Sequence, residues 1–189
     1  MKSLFAPFLV LALVAASPAG SPTPAPTPTM DAHAYDDPAM HFEAPADYYL
    51  AGKQHVDSTK LEKATVVAIW VKFPGAGNQR TLTITLEPYE GRNVTGYEVY
   101  TENSLREQID GVFVGGKQPM TLSNGMPAIF MSITSGSGFN SQKIYQVIWF
   151  DGLRGVSIAI HGRLGELTED EAKAAFKTAS ATIYPRGRL

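Results

Sequence analysis

The chain is 189 residues long, 44% hydrophobic and 18% charged, with a formal net charge of -2. That balance suits one globular domain behind an N-terminal segment, and it offers no basic stripe for nucleic acid or an anionic lipid surface. The lack of cysteine excludes disulfides, thiol catalysis, zinc sites built on Cys and lipid attachment through an N-terminal cysteine.

Met1-Lys-Ser is a short basic region, and the apolar run from Leu4 to Ala16 has the length of a signal-peptide core. Small residues at Ala15, Ala16, Ser17 and Ala19 suit cleavage after Ala16 or Ala19, and the run falls short of the roughly 20 residues a membrane span needs. Residues 1–19 therefore read as a removed signal, with no transmembrane anchor left behind. Residues 20–38 read as a Pro-rich linker, with Pro at every second position from Pro22 to Pro28, stiff and extended. Asp31-Ala-His33 would chelate Cu(II) or Ni(II) only if the mature chain began at Asp31. Thr29-Met30 is a poor cleavage context, so the motif reads as solvated linker.

A single domain is expected over 39–185. Ala39-Met-His-Phe-Glu-Ala-Pro45 predicts a first strand halted by Pro45, and Asp47-Tyr-Tyr-Leu50 a plug for one end of the core. Thr65 to Phe73 predicts a strand with Val67, Ile69, Val71 and Phe73 aligned. Arg80 to Glu87 predicts its partner, with Leu82, Ile84 and Leu86 inward and three threonines outward. Asn93-Val-Thr95 matches a glycosylation sequon, a triplet common by chance. Thr101 is expected to cap a helix whose face carries Leu105, Ile109 and Val112, with Gly115-Gly116 ending it. Met120 to Met126 predicts a short strand and a turn at Asn124-Gly125.

Pro127–Thr134, Gln142–Phe150 and Val156–His161 then read as an antiparallel meander. The outer two alternate, while the middle strand is apolar on both faces, Ile144, Ile148 and Phe150 opposing Tyr145, Val147 and Trp149. Such a strand belongs inside a sheet covered on both sides. Thr168-Glu-Asp-Glu171 is a capping box opening a helix that packs through Ala172, Ala175, Phe176 and Ala179 and stops at Pro185. The expected fold is α+β, an antiparallel sheet with helices packed on it.

Phe42-Glu-Ala-Pro45, the strand pair at 65–73 and 80–87, the helix near Thr101, the hairpins between Gly125 and Gly155 and the closing helix with Phe176 and Ser180 follow one another in an order that resembles the PsbP/DcrB-like superfamily. Tyr48 and Tyr49 stand where members often carry a Trp. The resemblance implies an α-β-α sandwich and an exported or membrane-associated binding or assembly factor, and it supplies no catalytic residues.

No nucleophile, base and orienting group share a motif. Ser135-Gly-Ser-Gly138 lacks the Gly-x-Ser-x-Gly pattern, Ser141-Gln-Lys143 and Ser58-Thr-Lys60 lack the Ser-x-x-Lys spacing, and Gly75, Gly77, Gly115 and Gly116 form no phosphate loop. His33, His41 and His55 lack metal-ligand spacing. No catalytic residues, metal ligands or cofactors are therefore assigned, and an enzyme is the less favoured reading. Candidate binding residues are Tyr48, Tyr49, Trp70, Tyr145, Trp149 and His161: aromatics with a polar handle, and the one histidine inside a regular element. The plainer alternative has Trp70 and Trp149 merely packing under helices. The functional expectation is a non-catalytic binding or assembly module of the cell envelope, periplasmic or extracellular, engaging a protein or envelope component. The alternative is a small-molecule pocket or weak hydrolase near His161.

Overall fold

The computed structural model describes residues 33–37, 40–54, 56–57, 60–75, 78–136, 141–178 and 180–183. The expected signal peptide, the linker up to residue 32, Asp31 and Ala32 of the chelating motif, His55, Ser58-Thr59, Gly77, the loop serine Ser137, Ala179 and Pro185 lie outside them. The strands are β1 (Ala34–Asp37), β2 (Met40–Glu43), β3 (Tyr49–Lys53), β4 (Thr65–Gly75), β5 (Asn78–Pro88), β6 (Phe113–Thr121), β7 (Pro127–Ser135), β8 (Gln142–Phe150), β9 (Arg154–Arg163) and β10 (Ser180–Ile183). The helices are α1 (Val94–Gln108), between β5 and β6, and α2 (Glu169–Thr178), between β9 and β10.

Seven strands form one antiparallel sheet in the order β3-β4-β5-β9-β8-β7-β6. The meander β7-β8-β9 forms as its alternation predicts, and β9 closes onto β5 rather than onto its sequence neighbours alone. Register carries apolar rows across the strands: Trp70, Leu82, Ile160 and Tyr145 in one, Ile84, Ile158, Val147 and Phe130 in the next, and Leu86, Val156, Trp149 and Ala128 beyond. These rows share one face and all of their residues are buried. Antiparallel partners point the same way, so the opposite face carries Thr81, Thr83, Thr85, Gln146, His161 and the Met131–Ile133–Ile144–Ile148 cluster.

The α-β-α sandwich expected from the sequence is not what forms. Among the described residues strand makes up 54% and helix 18%, with only two helices. One face carries α1. The other carries α2 together with a second sheet, β1-β2-β10, whose Tyr35, Met40 and Phe42 join the core under it. The reason is length. A ten-residue helix spans about 15 Å, while seven strands spread over about 29 Å, so α2 alone leaves that face incompletely covered. Part of the missing cover comes from Ala34–Asp37, read from the sequence as linker.

Other departures are local. In β4 a register shift between Val66 and Ala68 breaks the expected alignment: Val67 is buried with Ala68 and Trp70, while Ile69 and Val71 are half-buried and Phe73 is exposed on the far side. Helix α1 begins at Val94, not near Thr101, because the Asn93 side chain accepts from the Gly96 amide at 2.8 Å and caps it. Thr101 lies inside the helix and is buried. Gly115-Gly116 does not end a helix; it sits at a register shift in the edge strand β6, between Val114 and Lys117. Asp47-Tyr48 does bury a ring at the core's edge, but Tyr49 starts the edge strand β3.

Candidate functional site

Helix α2 is tied down at its beginning. The Thr168 hydroxyl accepts from the Glu171 amide at 3.2 Å, which is the expected cap. The Glu171 carboxylate does not return to the cap: it takes the nearly buried Arg80 guanidinium at 3.0 Å, and Arg80 also donates to the Glu166 carbonyl at 2.8 Å. These bonds hold the first turn over β5 and leave the second half of the helix to reach across β7. There Phe176 meets the Phe130 ring edge-on at 6.1 Å, and the Lys173 ammonium lies 5.3 Å from the same ring's centre.

Between this half of α2 and the sheet is a cavity of about 420 Å³. Its floor is buried and apolar, made by Phe130, Val147, Trp149 and Ile158 of three adjacent strands, and Phe42 of β2 closes one side. Met120 and Leu122, where β6 turns toward β7, are half-buried on the opposite side, and Phe176 forms the roof. Exposed Gln118, Thr121, Lys173 and Lys177 border it toward solvent. Interiors are otherwise close-packed with few voids larger than a water, and binding sites fall at roughly 300–1,000 Å³, so this space has the size of a ligand site.

Two electrostatic features accompany it. Lys173 donates to the Gln118 side-chain carbonyl at 3.2 Å and to the Glu169 carboxylate at 2.6 Å, and the bond to Glu169 is the chief cause holding that carboxyl below its ordinary range. The Trp149 indole N–H, in a side chain with no solvent exposure, finds no acceptor among the described residues. A buried donor left so costs roughly 1–3 kcal/mol.

The six residues singled out from sequence do not converge. Trp149 lines the cavity, and Tyr145 stacks behind its wall on Phe130 at 5.6 Å. Trp70 is fully buried against Phe42 at 5.6 Å. Tyr48 is buried beside Lys72, and burial is the main cause raising its phenol above the usual range. Tyr49 is 54% exposed on the edge strand, facing the other side of the sheet. His161 also faces that other side, 3.5 Å from the Thr83 hydroxyl, and burial lowers its pKa to about 4.

Several cavity residues were not singled out. Phe42 and Phe176 read only as a strand position and a helix packing position, and Phe130, Lys173 and Lys177 carry no individual reading in the sequence. The available signal was in α2, where 173, 176 and 177 share one helical face, two cations flanking an aromatic.

Elsewhere, Lys143 donates to Ser132 at 2.5 Å, but neither borders the cavity. Across the sheet, Tyr97 of α1 donates to Glu87 at 3.0 Å, and burial raises the Glu87 carboxyl. Tyr97 lies so close to β9 that a Cβ on Gly155 would come within 2.2 Å of its ring, which accounts for glycine there. Among the described residues no three His, Asp or Glu side chains come together as a metal site.

No family model matches the chain, and no curated protein matches it. Among solved structures it is similar to PA94 of Pseudomonas aeruginosa, a protein of unknown function, at 11% identity and a TM-score of 0.52 over 70% of this chain and 93% of that one. It also aligns with LpqN of Mycobacterium tuberculosis, a protein involved in cell envelope biogenesis, at 12% identity and a TM-score of 0.49 over 84% of this chain and 99% of that one. At such identities the likeness to PA94 is one of fold alone. The PsbP/DcrB-like resemblance therefore rests on the order of elements, and its implied sandwich is replaced by the two-sheet arrangement.

Proposed function

We propose that the protein is an exported, non-catalytic binding module of the cell envelope that holds an apolar small molecule between α2 and the seven-stranded sheet. The observation that carries this reading is the cavity of about 420 Å³ with a buried aromatic and aliphatic floor. Export is supported by the basic and apolar N-terminal run and the Pro-rich spacer after it. A protein or envelope component is the partner to or from which the guest passes. The alternative of a pocket near His161 loses its motive, because His161 and the cavity occupy opposite faces of the sheet.

The test is the neutral fluorophore N-phenyl-1-naphthylamine, whose emission rises in apolar surroundings. The expected result is saturable enhancement that dodecanol displaces. Val147→Phe and Met120→Trp, which fill the space from the floor and from the side, abolish it while the melting transition persists. Absence of saturable enhancement, or enhancement indifferent to both substitutions, overturns the proposal.

A further inference from the structure

The cavity is apolar within and cationic at its mouth. Among the residues that line it, the two charged ones are both lysines, Lys173 and Lys177, one helical turn apart on α2. Lys173 is partly committed to Glu169 and Gln118, yet its ammonium still sits over the Phe130 ring that forms the wall. Lys177 has no ion pair among the described residues and is exposed. A guest wholly made of hydrocarbon would leave this end of the site without a counterpart. A charged head would also remain in water at the mouth, where its desolvation cost is small.

We infer that the guest is a single-chain anionic amphiphile of the fatty-acid type: its hydrocarbon lies on Phe130, Val147 and Trp149, and its carboxylate is held at the mouth by Lys177 and Lys173. This rests on the binding function proposed above and adds the chemical class of the ligand. Charge complementarity commits the site to an anion, because Lys177 leaves the mouth net positive even with Lys173 balanced by Glu169. The buried apolar floor and the exposed lysines at its border suit one chain entering tail first, rather than a membrane surface laid against the protein.

The experiment is displacement of N-phenyl-1-naphthylamine by dodecanoate, dodecanol and dodecyltrimethylammonium, each below its micelle concentration, on the parent protein and on Lys173→Gln/Lys177→Gln. The quantity read is the ratio of dodecanoate to dodecanol affinity within each protein. Half-exposed ion pairs of this kind give about a fivefold preference for the carboxylate in the parent. That ratio falls to about one in the double variant and with high salt, and dodecyltrimethylammonium is the weakest competitor in the parent. A parent ratio at or below one, or a ratio unchanged in the double variant, overturns the inference while fluorophore binding keeps the wider function standing. If the fluorophore itself fails to bind, the wider function falls first. A parallel arm measures co-sedimentation with phosphatidylglycerol vesicles: binding to vesicles without binding of monomeric dodecanoate overturns the inference in favour of a membrane surface.

Discussion

Burial sets the protonation of His161, whose folded pKa lies at about 4 against an ordinary value of 6.5. The sign follows directly. Above pH 6.5 the imidazole is neutral in both states and costs nothing. As pH falls from 6.5 toward 4 the unfolded chain takes up the proton and the folded one resists, so stability is lost across that window and the loss levels off below it. With allowance for its partial exposure the loss is about 2 kcal/mol. Denaturant unfolding at pH 7 and pH 4 is therefore expected to show a smaller acid loss in His161→Gln than in the parent, by that amount. Parallel stability curves for the two proteins would show that His161 does not resist protonation. His41 works in the opposite sense: its pKa is raised, chiefly by hydrogen bonding to Asp36, so it stabilises at low pH and the difference between the two proteins at position 161 isolates that group.

The attachment of the small sheet rests on a buried charge cluster joining two elements. Arg154 at the start of β9, 1% exposed, donates to Asp37 at the end of β1 at 3.0 Å and to Asp151 at 2.8 Å, and Tyr35 donates to Asp37 at 3.1 Å. Removing one partner of a buried pair costs more than the pair contributes, because the remaining charge stays desolvated. Breaking a buried pair costs roughly 3–5 kcal/mol, and Asp37→Asn is expected to lower stability by about 3 kcal/mol because Asp151 still holds Arg154. Amide exchange in β1 and β2 should rise before that in β5 or β9. Equal exchange rates throughout, or a loss below 1 kcal/mol, would show that the cluster does not hold the small sheet. This cluster also explains why β1 was illegible: Ala34-Tyr-Asp-Asp37 has no apolar alternation, and Asp37 is buried by pairing with a residue far along the chain. Elements that obey a local period were legible, as in Leu82, Ile84 and Leu86 of β5 and the faces of the meander. Where one residue shifts a register or changes a cap, as at Val67, Gly115-Gly116 and Asn93, the period misplaced the face or the boundary.

At the scale of the whole molecule, the site arises from a mismatch between a wide sheet and a short helix. Neither element shows it alone: Phe42, Phe130, Trp149 and Phe176 come from four elements and meet only when both sheets and α2 are in place. Trp149 is legible in the sequence because its aromatic sits on an interior strand, whereas the cavity it helps to wall is not, because emptiness is a property of how several elements pack. Trp149 is both fully buried and at the wall of a cavity, so its indole reports on whatever enters. The chain has two tryptophans, which lie in different rows of the sheet, and their indole N–H resonances can be followed separately by nuclear magnetic resonance. Titration with dodecanol is the most direct measurement of the central claim. The Trp149 indole N–H resonance is expected to move saturably and by more than that of Trp70, and Val147→Phe is expected to abolish the movement. A Trp149 resonance that stays fixed at saturating dodecanol, or one that shifts no more than that of Trp70, would contradict the cavity's role as a binding site.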